Sequence, residues 1–216
     1  MDEYIIYVID TETTGLDPEK NEIIELSAAR FKMIKHTVVE QKTWLLKALK
    51  PEFIEDEALQ INKHKKEDIL HFTDYGKSAY IHPEQAIVDI ENWIMEDRMS
   101  SMDRILVGQN IDFDIQMMMS LWKSFDAKDT FPFNLENGNR TVDTKMLATV
   151  IDLCTGRRRR YYNLSTLISS FNIKKRKAHR AEDDVAMTVD LLLAMLRPLI
   201  PAASEAFQEC YTNLDE

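Results

Sequence analysis

Tyr4-Ile5-Ile6-Tyr7-Val8-Ile9, running directly into Asp10-Thr11-Glu12-Thr13-Thr14-Gly15-Leu16, is the stretch on which the architecture turns. Six consecutive aromatic and β-branched residues make a run of strand length with no polar face, the pattern of a central strand buried on both sides. Working outward, Ile23 to Met33 and Thr37 to Leu46 show mixed alternation without proline, which predicts two more strands joined as antiparallel hairpins. Pro51 ends that run. From Glu55 the spacing of Ala58, Leu59 and Ile61 turns helical, and Pro83 to Met95 sets Ala86, Ile87, Ile90, Trp93 and Ile94 on one face behind a proline suited to a first helical position. Arg104 to Val107 reads as a short strand, Ile111 to Phe125 as a helix, Thr141 to Asp143 as the end of another strand, and Thr144 to Leu153, Asn163 to Phe171 and Ala181 to Leu196 as helices. Pro198 and Pro201 close the last of these. Strands first in a meander and then alternating with helices predict an α/β fold with a mixed sheet of about five strands, flanked by helices on both faces. Met117-Met118-Met119 and Leu191 to Leu196 read as core-facing helical residues.

The chain has 216 residues, 44% of them hydrophobic and 30% charged, with five Gly and six Pro. That composition excludes disordered, collagen-like and low-complexity classes, and the length fits one domain over residues 1–200 with a polar tail over 201–216. No apolar stretch approaches the roughly 18 residues that span a bilayer, and Asp2 and Glu3 stand where a signal peptide would be basic, so a soluble, cytoplasmic protein without membrane contact is expected. Two widely spaced cysteines, Cys154 and Cys210, make neither a disulfide framework nor a thiolate zinc site. The formal net charge is −10, yet residues 150–180 hold Arg157 to Arg160, Lys174 to Lys177 and Arg180 against a single acid, Asp152. One strongly basic segment on an acidic body predicts either a local anionic partner or a solvated loop.

Asp10 and Glu12 are two residues apart on an extended strand, so their carboxylates project to one face near a strand end, where α/β proteins bind ligands. Paired hard oxygen ligands suit Mg²⁺ or Mn²⁺. An acidic turn after a strand would also account for the bare pair. The full run Asp10-Thr11-Glu12-Thr13-Thr14-Gly15-Leu16 resembles the first motif of the DEDDh exonucleases, the proofreading 3′–5′ exonuclease family with a ribonuclease H-like fold that includes polymerase III epsilon-like subunits. Gly108-Gln109-Asn110-Ile111-Asp112-Phe113-Asp114 is similar to the second motif, whose aromatic-Asp pair falls on Phe113-Asp114 and leaves Asp112 as a solvated acid of the first helical turn. Gln109 stands where the family often has His. His179-Arg180-Ala181-Glu182-Asp183-Asp184 matches the third motif. His179 and Asp184 would lie about 140° apart on one continuous helix, so both face a single site only if His179 precedes the helix. Asp143 also matches a strand-end acid of the family, although an Asp immediately before a helix is more often an N-cap.

The resemblance implies a metal-dependent hydrolase: two divalent cations, Mg²⁺ or Mn²⁺, on Asp10, Glu12, Asp114 and Asp184, with His179 as general base. It also implies substrate contacts from Thr13, Thr14, Gly15, Leu16 and Asn110, and the basic segment adds Arg157, Arg158 and Lys177 as candidates for phosphates. The expected partner is a nucleic acid with a free 3′ end, DNA ahead of RNA, with a DNA polymerase subunit as a further partner. Two alternatives stay open at the level of sequence: an exoribonuclease that trims RNA or short oligonucleotides, and a catalytically idle module that binds nucleic acid or a polymerase.

Overall fold

The computed structural model describes residues 5–33, 35–70, 79–134, 140–177 and 179–197. The proposed tail over 201–216, with Pro198 and Pro201, lies outside them. Among the described residues six strands form one sheet: β1 (Ile5–Thr13), β2 (Ile23–Lys32), β3 (Thr37–Leu46), β4 (Tyr80–Ile81), β5 (Ile105–Gly108) and β6 (Thr141–Asp143). Their order is β4-β3-β2-β1-β5-β6. The pairs β1–β2 and β2–β3 are antiparallel, whereas β5 joins β1, β6 joins β5 and β4 joins β3 in parallel. The expected five strands become six because the two-residue β4 is defined by its pairing with Leu45 and Leu46 rather than by composition.

Alternation along β1 explains the layers. Tyr7 and Ile9 pack against α3 (Pro83–Met95) and α4 (Ile111–Ser124), through Ile87, Ile90, Trp93, Ile115, Met118 and Trp122. Ile6 and Val8 point the other way, onto Val185, Val189 and Leu192 of α7 (Ala181–Leu196). Outside α7 stand α5 (Thr144–Thr155) and α6 (Leu164–Ser170), joined through Ala148, Leu167, Ile168, Met187 and Leu191. Burial of each such aliphatic side chain contributes about 1.5–3 kcal/mol, so the two apolar faces of one six-residue run commit the chain to a three-layer fold. Among the described residues the remaining α-helices are α1 (Asp56–Asn62) and α2 (Lys66–Leu70).

β1 extends to Thr13, so Asp10 and Glu12 lie on the extended strand as expected, where they pair with Ser27 and Glu25. One expectation needs correction. Met117 and Met118 are buried, but Met119 is 49% exposed, because a third consecutive helical residue rotates off the packed face. Among the described residues no helix is long and apolar enough to cross a membrane.

Candidate active site

β1, α4 and α7 bring the acids of the three motifs to one end of the sheet. Asp10 and Glu12 share the β1 face that meets α7, and Thr11, between them, faces α4. There Asp114 Oδ1 accepts both the Thr11 backbone N–H (2.9 Å) and the Thr11 hydroxyl (2.7 Å), which locks the second motif onto the first. Asp114 is buried in the first turn of α4, whereas Asp112 is exposed. The left-handed backbone of Asn110 (φ 62°) starts that helix.

His179 does precede α7, and it too is left-handed, at φ 64°. Its backbone N–H donates to Asp184 Oδ2 at 3.1 Å, so the turn folds back on the helix's own acid. One ligand atom from each of Glu12, His179 and Asp184 lies within 4.8 Å of the others. The buried Asp184 Oδ1 has no hydrogen-bond partner.

Crowding shows in the electrostatics. Burial raises Glu12 to about 8, with Asp184, Glu25 and Asp114 adding to the effect. Burial likewise raises Asp114 to about 7 against the opposing Thr11 hydrogen bonds, and Asp184 to about 6 against the His179 amide. Asp10 is held well above the ordinary carboxylate range by burial and by Asp114, Asp184, Glu12 and Glu25. An arrangement of acids that resist ionisation, with a buried oxygen lacking a partner, is what a hard divalent cation would relieve.

The other sequence candidates divide. Thr13 and Thr14 are buried, and their hydroxyls serve the turn: Thr13 Oγ1 donates to Gly15 O (2.6 Å) and Thr14 Oγ1 accepts the Glu22 N–H (2.9 Å). A Cβ at Gly15 would run into Glu55 Oε1 and Asn21 Nδ2, so those side-chain ends would have to shift. Leu16, 77% exposed, is presented at the tip. Asn110 Oδ1 accepts Lys145 Nζ (2.9 Å). Asp143 caps α5 through the Lys145 N–H (2.8 Å) and also accepts the Asn110 N–H (3.0 Å), a structural position. Gln109 is an internal staple, donating to Tyr162 O (2.6 Å) and accepting the Thr144 hydroxyl (2.6 Å), and thereby ties the basic loop to the β5–α4 turn.

That loop does not offer four equivalent guanidinium groups. Arg157, Arg158 and Arg160 are exposed, but Arg159 is withdrawn into an ion pair with the buried Asp152 (2.8 Å), stacked over Phe171. Lys177 is exposed ahead of the His179 turn. Three residues with structural duties at the site escaped the sequence reading: Thr11, Glu25 and Arg180. The signal for Glu25 was a lone acid within Ile23-Ile24-Glu25-Leu26, since a charge inside a buried strand demands partners.

The family model described as Exonuclease (RNase_T) matches residues 7–192. DNA polymerase III subunit epsilon of Treponema pallidum (strain Nichols) is 27% identical over 192 residues, covering 87% of this chain and 74% of that protein. E. coli exonuclease I in complex with a dT13 oligonucleotide superposes with a TM-score of 0.71 at 15% identity, covering 94% of this chain and 43% of that one. Cell-death related nuclease 4 (CRN-4) gives a TM-score of 0.71 at 11% identity, covering 89% and 64%. The chain therefore spans less than half of exonuclease I and less than two thirds of CRN-4, and these two likenesses concern the fold.

Proposed function

The chain belongs to the DEDDh-type exonuclease family of nuclease hydrolases, and on that premise we propose that it is a 3′–5′ exonuclease that releases nucleoside 5′-monophosphates from the 3′ end of DNA. The observation that carries this reading is the convergence of Glu12, His179 and Asp184 within 4.8 Å, beside Asp10 and Asp114. The donor set suits hard cations, and Asp10, Glu12, Asp114 and Asp184 are the residues that would hold them. Mg²⁺ or Mn²⁺, two ions by the family resemblance, would supply Lewis-acid stabilisation of the negative charge that grows on the phosphate.

The chain's own residues do the rest. Thr11 keeps Asp114 in place from β1. His179 stands outside the helix on a turn anchored to Asp184, where a ring nitrogen accepts the proton of the attacking water. The Thr13–Gly15 turn holds Leu16 out for the terminal base, and Asn110 of the second motif would add a further substrate contact. Arg157, Arg158 and Lys177 give exposed positive charge for backbone phosphates. The polymerase-subunit relative supports association with a DNA polymerase and a place in the cytoplasm. Residues 1–200 form the exonuclease domain in this reading, and 201–216 a tail.

Degradation of matched 5′-labelled DNA and RNA oligonucleotides, with and without Mn²⁺, tests it. Mn²⁺-dependent shortening from the 3′ end, faster on DNA, is expected. Faster RNA shortening would make the protein an exoribonuclease, and no shortening of either would leave a binding module.

A further inference from the structure

Glu25 sits near the start of β2 with no accessible surface, directly opposite Glu12 in the antiparallel register. Register partners share a face, so both carboxylates lie on the α7 side of the sheet. Glu25 Oε2 is 2.8 Å from His64 Nε2 and 3.3 Å from Arg180 Nε, and His64 Nδ1 is 2.6 Å from the Tyr80 hydroxyl. Oε1 makes no hydrogen bond. A buried acid in this setting is costly unless its partners keep it charged and oriented. Burial alone would raise its pKa, but the His64 hydrogen bond and Arg180 outweigh burial and bring it below the ordinary value, with the Glu182 backbone N–H pulling the same way.

The value of this network lies in what Arg180 is attached to. Arg180 is the N-cap residue of α7 and makes no side-chain cap hydrogen bond, so its side chain is directed to Glu25 rather than to its own helix. It immediately follows His179, whose left-handed backbone is disfavoured for a residue with a Cβ. Such a turn relaxes unless something outside it resists. The His179 amide bond to Asp184 holds one side of the turn, and the Glu25–Arg180 ion pair holds the other.

We infer that Glu25 is a positioning residue for the reaction: it grips Arg180 and so fixes the turn that presents His179 to Glu12 and Asp184, while His64 and Tyr80 hold Glu25 in turn. Being fully buried, Glu25 touches neither substrate nor solvent. The catalytic consequence rests on the exonuclease reading; the tether itself does not.

Two readouts test it on the full chain, in wild type, Glu25→Gln, Arg180→Ala, Arg180→Lys and the Glu25→Gln/Arg180→Ala double variant. The first is amide exchange of the His179 N–H by NMR, free of metal and substrate. It should accelerate about tenfold in Glu25→Gln and Arg180→Ala, with no further gain in the double variant. The second is hydrolysis of a short 5′-labelled oligonucleotide with Mn²⁺. A misplaced general base should lower kcat by roughly 10- to 100-fold with KM within about twofold. The double variant should match the worse single, and Arg180→Lys should recover part of the rate. Because Arg180 is partly exposed, its variants carry the test if Glu25→Gln fails to fold. Wild-type exchange in Arg180→Ala, defects that multiply in the double variant, or a loss confined to KM would overturn the proposal. If wild type hydrolyses nothing, the exonuclease reading fails, and the exchange measurement still decides the tether.

Discussion

Replacing Asp114 with Asn separates the electrostatic cost of the acid cluster from its geometry. The amide keeps a carbonyl oxygen where Oδ1 accepts the Thr11 N–H and hydroxyl, so the link between β1 and α4 survives, while the charge goes. Folded Asp114 holds its proton up to about pH 7 against an ordinary 3.8. The folded chain therefore retains a proton that the unfolded chain has lost, stability falls as pH rises through that window, and above it the ionised form bears the whole penalty. At 1.36 kcal/mol per pH unit, the ceiling is about 4 kcal/mol. Asp10 and Asp114 titrate as a pair, so the penalty is shared between them and we expect about 2 kcal/mol of stabilisation at pH 8 in the metal-free variant. In a chain of this length that is roughly 4–8 °C in Tm. Thermal unfolding at pH 5 and pH 8 with EDTA is the assay, and the gain at pH 5 should be less than half that at pH 8. Mn²⁺ should stabilise wild type far more than the variant. A variant that is destabilised at pH 8, or changed equally at both pH values, would refute the claim that repulsion and burial, rather than bonding, dominate at Asp114.

Arg157→Ser and Arg158→Ser together should flatten the salt dependence of KM by about two phosphate contacts, while an unchanged slope in KM against salt would return the loop to solvent. Arg159→Ala should instead act on the fold: it leaves Asp152 buried without its cation and should cost about 3–5 kcal/mol in urea unfolding, and a neutral result would contradict the withdrawn ion pair. His179→Ala should lower kcat by roughly 10² to 10⁴ with Mn²⁺ affinity unchanged. The ring lies close enough to Glu12 and Asp184 to coordinate, so rescue by excess Mn²⁺ would reassign it as a ligand.

Much of this molecule was legible in its sequence wherever one local pattern decided the matter. The two-sided apolar run before Asp10 specified the central strand, Pro83 marked the start of α3, and the five-residue interval from His179 to Asp184 required the His to stand off the helix, as it does. What escaped depended on partners distant in the chain. β4 exists through Leu45 and Leu46, and α2 buries little beyond Ile69, so neither carries a periodic signal. Glu25 acquires its place from His64, 39 residues on, and from Arg180, far beyond that. Arg159 is indistinguishable from its three neighbours until the fold sets Asp152 and Phe171 beside it. Gln109, which stands where the family often has His, proves to be a staple for the same reason.

The central claim is that the carboxylates gathered around Asp10 carry phosphodiester hydrolysis from the 3′ end. The most direct measurement is the identity of the first product released, in the presence of Mn²⁺, from a DNA oligonucleotide labelled in its 3′-terminal nucleotide, for wild type and Asp10→Asn. Wild type should release the labelled nucleoside 5′-monophosphate, and Asp10→Asn, folded and with apo stability equal or higher, should release none. Release of a 3′-phosphorylated nucleotide, of internal fragments, or of the same monophosphate at the wild-type rate by Asp10→Asn would contradict the account.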